Sequence, residues 1–287
     1  MSRPRVAVIQ FPGSNCEHET ATAVERAGME AAIFRWNRDA DELGGFDGFI
    51  LPGGFSYQDR VRAGAIAAKK TIMRRIISAA ADGAPVLGIC NGAQVLVETG
   101  MIPGGAGRGG GGRPTGRIDM ALAPNVMEGR SGFYCDWAHV RPSGRWRECA
   151  FLASLSADKP LPIPIAHGEG RFTTTDDSVA SALGAEGRIV LQYCTAGGEV
   201  ADGFPTNPNG SLAAAAGICN ERGNVMALMP HPERVSFLRQ VPDDLGDVWS
   251  ERKVGARGDS AAMAGPGPGL ALFESMRDYI RTRAGRA

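Results

Sequence analysis

Cys90 and His231 lie far apart in the chain, and each sits in a setting suited to acyl-transfer chemistry. Cys90 stands in Gly88-Ile-Cys90-Asn-Gly92, between an apolar run and a helix-like segment. This Gly-x-Cys-x-Gly pattern is the cysteine form of the nucleophile elbow. The glycines permit a tight strand-to-helix turn and clear room beside a side chain pushed toward substrate. An ordinary thiol, with a pKa of about 8.5, is only about 3% ionised at pH 7. A helix N-terminus and a nearby imidazolium can lower that pKa by a unit or more. Two units correspond to about 2.7 kcal/mol and make the thiolate the dominant form.

The base must come from one of four histidines, at 18, 139, 167 and 231. A lone histidine at a strand end ordinarily makes a structural hydrogen bond. His231 differs because it lies between Pro230 and Pro232, just after an apolar run, with Glu233 two residues on. In an extended segment, residues i and i+2 point to the same side. The two prolines hold φ near −65°, so Glu233 could fix the tautomer of His231 and stabilise its charged form. Cys90, His231 and Glu233 would then be nucleophile, base and orienter. The turn Pro52-Gly53-Gly54 offers backbone N–H groups for an oxyanion, and the N–H of Asn91 offers another. Gly-Ile-Cys-Asn recurs at 217–220, but there Glu221-Arg222-Gly223-Asn224 follows. That copy reads as a turn between two strands, with Cys219 a small buried residue.

The first hundred residues alternate strand and helix signals. Arg5 to Gln10, Ala31 to Trp36, Phe46 to Leu51 and Pro85 to Ile89 read as strands. A helix running to Ala27, a long helix over 59–81 and a short one over Gly92 to Thr99 separate or follow them. In the long helix, Val61, Ala65, Ile72, Ile76 and Ala80 fall near one face. This alternation predicts an α/β fold with a mostly parallel, helix-covered sheet. Ligands then sit beyond the carboxyl ends of the strands, at Phe11–Asn15, Pro52–Ser56 and Cys90–Gly92. The second half is richer in strands, including Val225 to Met229. Residues 240–268 read as a polar, Gly-rich surface excursion, and Leu270 to Arg283 as a closing amphipathic helix. Gly105-Ala-Gly-Arg-Gly-Gly110 formally matches a dinucleotide fingerprint. It follows a helix rather than a strand, so a flexible surface loop is the better reading.

With 31 basic against 31 acidic residues, the chain has no net charge, which argues against a general nucleic-acid or membrane-surface binder. Hydrophobic residues make up 43%, enough for a sizeable core. The six cysteines include no CxxC pair, and Cys16 with His18 has no second pair at ligand spacing, so no metal site is expected. No signal-peptide core or membrane span is visible, which suggests a cytoplasmic protein with reduced thiols.

Gly88-Ile-Cys-Asn-Gly-Ala-Gln94, with Met229-Pro-His-Pro-Glu-Arg234, resembles the class I (triad) glutamine amidotransferases. Further stretches narrow the resemblance: Phe11-Pro-Gly-Ser-Asn-Cys16, Leu51-Pro-Gly-Gly-Phe-Ser56, His167-Gly-Glu-Gly-Arg-Phe172, Asn207-Pro-Asn-Gly-Ser211 and Gly217-Ile-Cys-Asn-Glu-Arg-Gly-Asn224. These are similar to the family of glutaminase subunits (PurQ) of phosphoribosylformylglycinamidine synthase, of de novo purine synthesis. The resemblance implies a flavodoxin-like single domain over 1–287, with surface insertions near 104–114 and 240–266. It implies that Cys90 attacks the glutamine side-chain amide, that His231 protonates the departing ammonia, and that Gly54 and Asn91 hold the oxyanion. Gln94 matches a substrate-contacting position, and Gly53, His167 and Gly168 are further candidates for that pocket. Ammonia would pass to a separate synthetase subunit (PurL), where ATP and Mg drive amidine formation, with a small accessory subunit (PurS) completing the assembly. No cofactor is implied in this subunit. Ala93 stands where the family often has a larger residue, which implies a roomier pocket.

Two other readings remain open on sequence alone: an amidotransferase serving another acceptor, and a stand-alone cysteine hydrolase. The papain-type signature around the cysteine is missing, which weighs against the second. A non-enzymatic scaffold is disfavoured by the complete Cys-His-Glu set.

Overall fold

The computed structural model describes residues 2–104, 117–157 and 159–285. The expected strand–helix alternation is present from the start: β1 (Arg5–Gln10), α1 (Glu17–Arg26), β2 (Glu30–Arg35) and β3 (Gly48–Leu51). Then come α2 (Ala65–Ala68), α3 (Thr71–Ala81), β4 (Val86–Ile89) and α4 (Asn91–Glu98). The middle of the chain adds β5 (Ala121–Ala123), β6 (Tyr134–Pro142), β7 (Leu161–His167) and β8 (Arg171–Thr173). It continues with α5 (Asp177–Ala185), β9 (Ile189–Cys194), β10 (Ala215–Cys219) and β11 (Val225–Leu228). Three helices finish it: α6 (Val248–Gly255), α7 (Ser260–Met263) and α8 (Leu270–Ala284).

Among the described residues, nine strands form one sheet in the order β2-β1-β3-β4-β11-β10-β9-β6-β7. The half from β2 to β11 is parallel, and the half from β11 to β7 is antiparallel. A small antiparallel pair, β5 with β8, lies outside it. Strands β3 and β4 are buried at every position, as expected of parallel strands packed under helices. On α1, Ala23 and Val24 are fully buried, and the helix packs on β1 and β2 and against α8. Helix α4 packs on β3, β4 and β11 and against α2.

Two expectations fail. The long helix over 59–81 is broken into a short 3-10 turn over Ser56–Asp59, then α2, then α3. Tyr57, Gln58, Asp59 and Val61 all have positive φ, between 52° and 75°, which no right-handed helix accommodates. Val61, placed on the buried face by the periodicity, is 86% exposed. The second correction is to the secondary structure of 240–268, which lies at the surface as read but holds two short helices. Asp247 and Asp259 cap them, each accepting two backbone N–H bonds within its first turn. The segment is anchored to the sheet where Asp247 meets His139 on β6 at 2.7 Å. The Gly-rich stretch from 105 to 112 lies outside the described residues.

Because β3, β4 and β11 are parallel neighbours, their carboxyl ends emerge at one edge of the sheet. Leu51, Ile89 and Leu228 are those ends, so Pro52-Gly53-Gly54, Cys90 and Pro230–Glu233 arrive together.

Candidate functional site

Cys90 is the residue between β4 and α4, with φ 50° and ψ −107°. A non-glycine residue in that region is strained by about 1–3 kcal/mol. Its neighbours make the conformation possible. A Cβ on Gly92 would lie 1.9 Å from the Leu51 carbonyl oxygen, and one on Gly88 would lie 2.5 Å from the Gly92 carbonyl oxygen. Only glycine lets the first turn of α4 sit that close to β3 and β4. The Cys90 N–H is held by the Leu228 carbonyl at 2.7 Å, which ties the elbow to the strand that delivers His231.

His231 and Glu233 are 2% and 1% exposed. His231 Nδ1 donates to Glu233 Oε1 at 2.6 Å, as the sequence predicts. The route differs from the expected extended segment: residues Pro232–Val235 form a 3-10 turn, with His231 just ahead of it. The His231 N–H donates to the Pro164 carbonyl at 2.8 Å, which fixes the backbone as well. Burial alone would lower the pKa of His231. The Glu233 carboxylate, and after it Cys90, overrule burial and raise the pKa well above the usual value. Together they favour the charged form of the ring. Its Nε2 edge, opposite Glu233, makes no hydrogen bond among the described residues.

Cys90 and His231 line one cavity of about 410 Å³, together with Gly54, Gln94, His167, Gly168 and Glu169. Gly53 packs beneath it: a Cβ there would lie 2.7 Å from His231 Cε1. Gly54 has φ 148°, and a Cβ on it would meet the Gly13 oxygen at 2.6 Å. Asn91 opens α4, and its side chain organises the floor. It accepts from the Ser56 N–H at 3.0 Å and donates to Gln94 Oε1 at 2.8 Å and Asp59 Oδ1 at 3.2 Å. Gln94 in turn donates to the Glu169 carbonyl at 2.8 Å. All the residues singled out from the sequence thus gather here. Ala93 is an exception to the expected effect: it is fully buried and does not line the cavity, so its small size does not widen the pocket.

Several participants are given no role at this site by the sequence. Asp59, on the strained turn, lines the cavity; burial first, then Glu169, push its carboxyl up to about 6. Asn125 is tied to the loop after β7 by hydrogen bonds with His167, Gly168 and Gly170. Phe55 and Phe133 are 47% and 56% exposed at the cavity, with ring centroids 6.2 Å apart. Asn207-Pro-Asn-Gly-Ser211 acts as scaffold: Asn209 donates to the Gly170 carbonyl at 2.9 Å and Ser211 Oγ accepts from the Phe172 N–H at 3.1 Å.

Cys16 is buried at this site as well, whereas His18 is exposed. Sulfur, imidazole and carboxylate of Cys16, His231 and Glu233 offer ligand atoms within 4.8 Å of one another. The Arg234 guanidinium donates to the Cys16 sulfur at 3.2 Å, and its positive charge opposes a divalent cation at that spot. Among the described residues, no helix is long and apolar enough to cross a membrane.

Comparison with known proteins shows the family to which the chain belongs. A family model described as a CobB/CobQ-like glutamine amidotransferase domain matches residues 3–280. The chain is 45% identical over 284 residues to phosphoribosylformylglycinamidine synthase subunit PurQ of Methanothrix thermoacetophila, spanning 97% of this chain and 99% of that one. It is 40% identical over 235 residues to the same subunit of Halobacterium salinarum, spanning 81% and 92%. Among solved structures, PurLQS of Thermotoga maritima matches with a TM-score of 0.67 and 30% identity, over 97% of this chain and all of that one.

Proposed function

We infer, from the fact that the chain belongs to the CobB/CobQ-like glutamine amidotransferase family, that it is the glutaminase subunit of phosphoribosylformylglycinamidine synthase in purine biosynthesis. It works in a complex with the synthetase subunit PurL. The observation that carries the chemistry is the His231 ring, held by Glu233 through Nδ1 and lining one cavity with Cys90.

In the reaction we propose, the Cys90 sulfur attacks the side-chain amide carbon of glutamine. Charge develops on the amide oxygen, which the backbone N–H groups of Gly54 and Asn91 receive; each such donor is worth about 10²–10³ in rate. The C–N bond breaks as His231 gives its Nε2 proton to the nitrogen, and ammonia leaves. His231, now neutral at Nε2, takes a proton from water, which attacks the thioester and releases glutamate. Glu233 keeps Nδ1 protonated throughout and stabilises the imidazolium each time it forms. Gln94, Gly53, His167 and Gly168 shape the substrate pocket.

ATP and Mg belong, on this reading, to the synthetase subunit, where the ammonia is consumed, and an accessory PurS subunit completes the assembly. The place of work is the cytoplasm. The test is mass-spectrometric mapping of an electrophilic glutamine analogue on the assembled complex. The expected adduct is on Cys90, with loss of glutamine-driven but not ammonium-driven synthesis. An adduct confined to Cys16 would move the nucleophile to that sulfur.

A further inference from the structure

His167 ends β7 with 3% exposure, yet lines the cavity that holds Cys90 and His231. Among the described residues, its Nε2 has no hydrogen-bond partner. The position of the ring proton follows from Asn125. The Asn125 amide nitrogen donates to the carbonyls of His167 at 2.8 Å and Gly132 at 3.2 Å. Its Oδ1 accepts from the Gly170 N–H at 3.1 Å, which sets the orientation of the amide. That oxygen therefore offers only lone pairs to His167 Nδ1, 3.2 Å away. Nδ1 must carry the proton, and Nε2 is a bare acceptor. Burial first, and the charge of His231 second, hold the His167 pKa down to about 3, so the ring stays neutral where the enzyme works. A buried acceptor left without a donor is unfavourable and calls for an explanation.

A glutamine molecule offers N–H donors at its α-ammonium and at its side-chain amide. The residue next to His167 places its carbonyl 3.6 Å from the Cys90 sulfur, so His167 stands at the reacting end of the cavity. The amide oxygen there is already claimed by backbone donors, which leaves the amide nitrogen. Building on the glutaminase reading, we propose that His167 Nε2 accepts an N–H of the substrate's side-chain amide. It thereby selects a primary amide over a carboxylate, with Asn125 as the positioning residue that fixes the tautomer. His167 exchanges no proton: Cys90 forms the C–S bond, the C–N bond breaks, and the nitrogen receives its proton from His231. His167 holds an N–H of the amide and then of the ammonia. The product carboxylate has no hydrogen to offer, so its oxygen faces a lone pair and is rejected.

The test compares two substrates on the complex assembled with the synthetase: glutamine, and the γ-methyl ester of glutamate, whose leaving group has no N–H. For His167→Phe, kcat/KM for glutamine falls about 10- to 100-fold, while that for the ester changes less than about threefold. His167→Gln restores an acceptor oxygen and brings glutamine turnover back to within about fivefold of the unsubstituted complex. This variant also decides the question if His167→Phe does not fold. Asn125→Asp places a carboxylate charge beside Nδ1, which lets Nε2 protonate at higher pH. It introduces a new acid-side loss in the glutamine profile that the ester profile lacks. Equal losses on both substrates, or none on glutamine, overturn the role of His167; identical profile shapes overturn that of Asn125. If the unsubstituted complex turns over neither substrate, the glutaminase reading falls, and this inference with it.

Discussion

The chain writes Gly-Ile-Cys-Asn twice and folds it in two unrelated ways. At 88–91 the cysteine sits at φ 50° ahead of α4 and lines the cavity. At 217–220 the first three residues end β10 and Asn220 follows it, and Cys219 is fully buried in the core. Both isoleucines are fully buried, so the apolar content does not separate the copies. The residue that follows does. Gly92 allows α4 to begin against the Leu51 carbonyl, whereas Glu221 starts a turn closed by Gly223 at φ 71°. The asparagines diverge accordingly. Asn91 ties Ser56, Asp59 and Gln94 into the site. Asn220 accepts from the Val225 N–H at 3.0 Å and donates to Asn224 at 3.0 Å, holding a hairpin. A reactive cysteine is therefore made by what surrounds the tetrapeptide, not by the tetrapeptide.

The sharpest way to break this comparison is Cys90→Ala. Glutamine-driven synthesis in the complex should fall by about 10⁴-fold or more, because no second group forms the thioester. Ammonium-driven synthesis should stay within about twofold, which a coupled assay with each nitrogen source reads directly. Retained glutamine turnover would show that the two copies do not differ in the way argued here.

Next in size is Glu233→Gln. With the carboxylate gone, burial dominates and the imidazolium is no longer favoured. Glutamine-driven kcat should fall about 10²- to 10⁴-fold. The same change has a pH signature in stability. The folded pKa of His231 lies above its unfolded value of about 6.5. The stabilisation from the charged pair is then complete below that value and disappears as pH rises through the folded one. Denaturant unfolding should therefore show the largest gap between parent and variant at about pH 5.5–6, closing on the alkaline side. A gap that widens with pH would mean that the pair is not an imidazolium–carboxylate.

How far the site could be read in advance follows the same division between local and remote causes. Cys90, its flanking glycines, and the His231–Glu233 pair announce themselves through neighbours in sequence, and so do the strands that carry them. The broken helix over 59–81 does not. Its apolar spacing suits a continuous helix, but Gly64 at φ 78° packs against α4, where a Cβ would lie 2.7 Å from the Gln94 carbonyl carbon. That contact belongs to the tertiary fold and leaves no local periodicity. Asn125 is invisible for a related reason: its partners are Gly132 and residues 167–170, reached through space. The caps at Asp247 and Asp259 go unread, because each opens a helix too short to show a periodic face.

The two glycines opening the copies give a stability contrast of smaller size. Ala at 88 would put its Cβ 2.5 Å from the Gly92 oxygen and 2.7 Å from Leu96 Cδ1, with backbone that cannot step aside. Ala at 217 would sit 3.4 Å from Leu191 Cβ and Leu228 Cδ1, ordinary contact distances. Gly88→Ala should cost about 3 kcal/mol, whereas Gly217→Ala should stay within about 1 kcal/mol. Urea midpoints at constant slope would measure both, and equal costs would remove the distinction between elbow and strand.

Cys219→Ala is the smallest effect and the cleanest control on the comparison. The residue pairs with Met226 across β10 and β11. Its N–H and carbonyl are both held by Arg188, the latter through the guanidinium at 3.1 Å. These are backbone interactions that alanine keeps, so what is lost is the packing of one sulfur and its contact with the Cys149 thiol, at about 1 kcal/mol. Glutamine-driven activity should be unchanged, since the side chain is buried in the core and does not line the cavity. A loss of glutamine turnover larger than the loss of folded protein would tie the second copy to the chemistry after all, and the assignment of purely structural work to 217–220 would have to be withdrawn.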